Sequence, residues 1–93
     1  MERGKSKIDE ELMRDLEELA DTDKIDALVY PQGEINQDLK RFFSEKNQQG
    51  LLNYKILQIG NFIAIHSCKA MIIEISCRED VFRITKNPRF TAQ

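Results

Sequence analysis

The stretch Cys68-Lys69-Ala70-Met71-Ile72-Ile73-Glu74-Ile75-Ser76-Cys77-Arg78-Glu79 decides how this chain folds. Ile72, Ile73 and Ile75 are β-branched and suit a strand. Cys68, Ile72, Ile75 and Glu79 fit one face of a helix equally well, with Ser67 placed to cap it. Propensity alone leaves the two readings even. The segments on either side read as strands: Phe62 to Ile65 before it, and Val81 to Ile84 after it. A helix at 68–79 would therefore sit between two strands.

Working outward, Gly60-Asn61 is a two-residue hairpin signal. It joins Phe62–Ile65 to an alternating run, Leu52 to Ile59, in which Leu52, Tyr54 and Ile56 share one side. Upstream, Ile35, Leu39, Phe42 and Phe43 recur at helical spacing, and Gly50 is a stop signal. Ile25 to Tyr30 is rich in strand formers and is halted by Pro31, with a turn at Gln32-Gly33-Glu34. At the start, Ile8, Leu12, Leu16 and Leu19 line one face of an amphipathic helix, and Asp9 is its candidate N-cap. Glu10, Glu11, Asp15, Glu17 and Glu18 lie on its other faces and read as a solvated surface.

With a helix at 68–79, the order after the leading helix is strand-helix-strand-strand-helix-strand. This is an α+β, ferredoxin-like split βαβ arrangement, a four-stranded antiparallel sheet with two helices on one face. The chain divides into a helix and arm at 1–23 and a ferredoxin-like domain at 24–93. The second face of such a sheet displays every other strand residue, and it needs a partner or a polar coat.

At 93 residues the chain holds one domain with one modest core. An apolar fraction of 41% and a charged fraction of 32% are those of a soluble globular protein. Fourteen basic against sixteen acidic residues leave a net charge of -2, which argues against a nucleic-acid binder. Asn61 to Ile65 also lacks the aromatic and basic pattern of an RNA-recognition strand. No apolar run approaches the roughly 18 residues of a membrane span. The basic start, Met1 to Lys7, has no apolar stretch behind it and does not read as a signal peptide. The chain is expected either to stay inside the cell or to be cut from a longer precursor, and its localisation stays open.

Candidate chemistry is sparse. Cys68 and Cys77 would lie roughly 13 Å apart on a helix, too far for a disulfide, and read as free, partly buried thiols. His66 and Ser67 are adjacent, so on a strand they point to opposite faces and form no nucleophile–base pair. The acidic residues have no metal-loop spacing, and the four glycines are too scattered for a phosphate loop. No catalytic residue, cofactor or metal is expected.

Four stretches resemble the propeptide, or inhibitor, domain of subtilisin-like serine proteases. Ile25-Asp-Ala-Leu-Val-Tyr30 is similar to that family's opening strand. Leu39, Phe42 and Phe43 sit where its first helix packs on the sheet. Ile59-Gly-Asn-Phe-Ile-Ala64 resembles its hairpin into the third strand. Met71 to Ile75, followed by Val81 to Ile84, mirrors its second helix and fourth strand. The resemblance covers about residues 25–93, and the leading helix lies outside the common core.

The resemblance implies an inhibitor and folding assistant of a subtilisin-like serine protease, with no catalysis of its own. The open sheet face would pack on two surface helices of the protease. The tail Phe90-Thr91-Ala92-Gln93 would lie in the substrate cleft, with Gln93 in the primary pocket and Phe90 in the outermost apolar subsite. In the family, acidic residues just after the fourth strand cap those helices. Here the matching positions are Thr85 and Asn87, which accept hydrogen bonds but bring no charge. The alternative function is a regulatory or dimerising ferredoxin-like domain that binds a small ligand or a second copy through the open face.

Overall fold

In a computed structural model that describes residues 7–57 and 59–87, residues 68–79 resolve in favour of the helix. The elements follow as α1 (Glu10–Glu18), β1 (Lys24–Pro31), α2 (Gln37–Gln48), β2 (Leu52–Leu57), β3 (Phe62–Cys68), α3 (Lys69–Ser76) and β4 (Val81–Lys86). The four strands form one sheet in the order β2-β3-β1-β4, every neighbouring pair antiparallel. After α1 the order is the split βαβ arrangement, and the fold is α+β and ferredoxin-like.

The tie over α3 is broken by burial. Met71, Ile72 and Ile75 are at most 4% exposed, and all three join the core beneath the sheet. Helical spacing of three and four brings them to one side, which alternation would split between two. Ser67 does not cap α3. It is a fully buried β3 residue whose Oγ donates to the Cys68 carbonyl at 3.3 Å, and Cys68 holds the cap position with no side-chain bond. Strand pairing accounts for this, because β3 runs beside β1 as far as the pair Lys24 and Cys68.

Other ends also moved. Ile35 lies before α2, whose N-cap is Asn36, with Oδ1 accepting from the Leu39 amide at 2.7 Å. That bond satisfies one of the free amides at the helix start. β2 stops at Leu57, and Ile59 stands 94% exposed in the hairpin turn. The connection is longer than the two residues that Gly60-Asn61 suggests, because the last pair is Leu57 with Phe62 and residues 58–61 lie between them; Gly60 and Asn61 do both take positive φ, 99° and 57°. A side chain at Gly60 would also meet the Phe62 ring at 2.8 Å.

One core holds the molecule together. Ala27, Val29, Ile63, Ile65, Leu52, Val81 and Ile84 supply the covered face of the sheet. Leu39 and Phe43 of α2 and Met71, Ile72 and Ile75 of α3 pack against it. α1 belongs to the same cluster: its Leu12 and Leu16 are 0% and 1% exposed. Ile8 forms a parallel bridge with Ile84, and the Asp9 amide donates to the Ile84 carbonyl at 2.8 Å. The chain before α1 therefore occupies the outer edge of β4, where an open edge would otherwise invite pairing. Asp9 then caps α1, accepting from the Glu11 amide at 3.2 Å, as its position predicts.

Candidate binding face of the sheet

Alternation along the strands sends half of each strand away from the helices. Strand register assembles these residues into rows. Asn53, His66 and Asp26 form one row; Lys55, Ala64, Leu28 and Thr85 form the next. Leu57, Phe62, Tyr30 and Arg83 form the third. No described helix covers this face, since α1, α2 and α3 all bury their apolar sides in the single core behind it.

The third row is the apolar end. The Tyr30 and Phe62 rings lie 5.6 Å apart at 58°, the tilted geometry aromatic pairs prefer. Leu57, Phe62 and Tyr30 are all half-buried. A bulge in β4 adds to this end. Tyr30 pairs with Arg83 and Pro31 with Val81, so Phe82 is an extra residue. Val81 and Ile84 both reach the core, while Phe82 and Arg83 both turn away from it, Phe82 at 57% exposure.

The first row is the polar end. His66 and Asp26 are opposite each other across β3 and β1, and Nδ1 of the imidazole lies 2.8 Å from the Asp26 Oδ1. Beside them a cavity of about 360 Å³ is lined by Asp15, Lys24, Ile25, Asp26, His66 and Lys86. Lys86 pairs with Asp15 at 3.1 Å and His66 with Asp26 at 2.8 Å, while Lys24 forms no ion pair among the described residues. His66 and Ser67 point to opposite faces, as alternation requires: His66 is exposed and Ser67 is fully buried. Sequence reasoning did not find the Asp26–His66 pair, because partners forty residues apart are set by register.

The predicted site residues fall in different places. Thr85 was placed just after the last strand, where it would cap a partner helix. It lies inside β4 instead, half-buried and opposite Leu28, because β4 keeps pairing with β1 as far as Lys86 and Ala27. Asn87 does follow the strand, but it is 8% exposed and engaged within its own domain. Phe90, Thr91, Ala92 and Gln93 lie outside the described residues. Cys68 and Cys77 are unbridged, Cys68 half-buried and Cys77 exposed.

The strongest electrostatic contact lies away from this face. Arg78 donates to both carboxylate oxygens of Asp80, from Nε and Nη2, each at 2.8 Å. That direct bond holds the Asp80 carboxyl below its ordinary range and lifts the Arg78 guanidinium above its own, against the opposing pull of burial. The Gln32 amide donates to the Asp80 carbonyl at 2.9 Å, and Arg78 stacks 4.7 Å over the Phe42 ring. The cluster ties the turn before β4 to the end of β1, so it is a structural clamp.

Among the described residues no group of three or more His, Cys, Asp or Glu side chains is arranged to hold a metal ion. No described helix is long and apolar enough to cross a membrane. In comparisons with known proteins, no family model, no curated protein and no solved structure matches this chain.

Proposed function

We propose that this domain is a protein-binding module of the propeptide-inhibitor kind, which docks on a subtilisin-like serine protease through the open face of its sheet. The observation that carries the reading is that face. A row of Leu57, Phe62, Tyr30 and Arg83 lies on the sheet face that no described helix covers, beside the strand that precedes Phe90 to Gln93 in the sequence. Aromatic and apolar side chains fixed on a sheet lose little freedom when a partner covers them, which favours binding. A tail that adds as a strand in a partner's cleft gains main-chain hydrogen bonds. Binding the native protease alone would also stabilise it by mass action, the physical basis of folding assistance.

Helix capping by Thr85 and Asn87 is not part of this reading, because one is a paired strand residue and the other is turned inward. Affinity rests on the open face and the tail.

The test is inhibition of subtilisin by the 93-residue chain and by the same chain lacking Phe90 to Gln93. The full chain is expected to inhibit, and the shortened one to lose about tenfold or more in Ki, about 1.4 kcal/mol. Circular dichroism would show that the shortened chain keeps its fold. Equal inhibition by both chains removes the tail from the mechanism. No inhibition by the full chain, together with a doubled mass in solution, would replace this reading with a dimerising domain.

A further inference from the structure

Acidic charge on this molecule is concentrated around α1. Residues 9–23 carry eight acidic side chains and one basic, a net charge of -7. The whole chain carries -2, so the remainder sums to +5. Glu10, Glu11, Glu17 and Glu18 are exposed on α1, in the helix layer. The open face has the opposite balance. Among the described strand residues its cations are Lys24, Lys55 and Arg83 and its carboxylate is Asp26, held by His66 at 2.8 Å; Asp15 of α1, paired with Lys86, lines the cavity that Lys24 borders.

The cations differ in what already holds them. Arg83 bonds Asp9 at 3.1 Å. Lys24 and Lys55 are exposed and form no ion pair among the described residues. Lys55 stands in the row of Ala64 and Leu28, two residues along β2 from Leu57 of the apolar row, so a body seated on Tyr30 and Phe62 would approach its ammonium group. Covering a cation without a counter-charge is unfavourable, and an anion placed opposite removes that penalty. Like charge in the partner would repel it from the same place.

We infer that the partner surface received by this face is apolar at its centre and acidic at its rim: a protein surface whose ridge seats on Leu57, Phe62 and Tyr30 while its carboxylates meet Lys55 and Lys24. This rests on the protease reading above and adds the chemistry of the surface docked against. A protein is favoured over a nucleic acid because two unpaired lysines are few for a phosphate track, and the acidic α1 repels polyanions.

Two subtilisin-class proteases inactivated at the nucleophile serve as probes, one acidic and one basic around its two docking helices. Binding of the full chain is measured at about 50 mM and about 500 mM salt, on either side of physiological screening. The wild type is expected to bind the acidic probe about tenfold more tightly at low salt, through a faster association rate, with the gap narrowing at high salt. Lys24→Glu with Lys55→Glu is expected to reverse the preference and leave the circular dichroism unchanged, since both side chains are exposed. Wild-type binding equal for both probes, or unmoved by the double change, overturns this inference and leaves the protease reading standing. No binding to either probe sinks both. Binding of a single-stranded oligouridine that is lost with Tyr30→Ala overturns it in favour of a nucleic-acid partner.

Discussion

The two faces of this sheet are cut from alternate residues of the same strands, and they have opposite fates. On one face Val29, Ile63 and Ile84 are fully buried against Phe43, Ile72 and Leu12. On the other, Tyr30 and Phe62 pack ring against ring and stay half-buried, and Phe82 of β4 stands 57% exposed. Apolar residues on the first face hold the fold. Residues of similar chemistry on the second are left more exposed, because no described helix packs on that face. The lesson is that apolar character does not by itself mark a core position; the layer it points into does.

The comparison breaks most visibly if a covered residue is removed. Phe43→Ala is expected to lower unfolding stability by about 3–5 kcal/mol, and Leu12→Ala by about 2–5 kcal/mol. Urea unfolding followed by circular dichroism measures both. A loss below about 1 kcal/mol for Leu12→Ala would mean that α1 rests on the domain without sharing its core.

An intermediate effect is expected at the clamp between the layers. Asp80→Asn removes the charge-assisted bond from Arg78 and should cost about 1.5 kcal/mol at neutral pH. The folded carboxyl titrates below its unfolded value, so its contribution is complete above the unfolded range near pH 4 and is lost as pH falls through the folded value. The urea midpoints of wild type and Asp80→Asn should therefore converge in acid. A gap that stays constant down to about pH 2 would place the effect in packing instead of charge.

The smallest effect sharpens the contrast. Phe82→Ser changes an aromatic residue as large as Phe43, yet it should alter stability by no more than about 0.5 kcal/mol. The same variant should weaken binding to a protease probe, because it strips surface from the apolar end of the open face. A large stability loss here would show that the bulge in β4 is packed into the domain.

Much of the fold was legible as periodicity. The spacing of Leu12 and Leu16, of Leu39 and Phe43, and the Gly60-Asn61 turn each reports a local constraint: one helix face, or one pair of left-handed residues. The role of residues 68–79 was not legible, because Ile72, Ile73 and Ile75 satisfy both periods over so short a run. Strand ends were misplaced where pairing extends beyond the strong strand formers, as at Thr85 and Lys86 opposite Leu28 and Ala27. For the site, the open face was foreseen in outline, but not its members. Tyr30 beside Phe62, and Asp26 beside His66, meet only through register.

What the sequence determined alone is the elements other than α3 and the amphipathic side of α1 and α2, because these depend on contacts within a few residues. What only the tertiary structure decided is which apolar side chains are covered, where α1 rests, and which charges find partners. Those outcomes depend on strands far apart in sequence coming into register, and on the described helices all packing on one face of the sheet. A local pattern carries no information about which layer its neighbours will occupy.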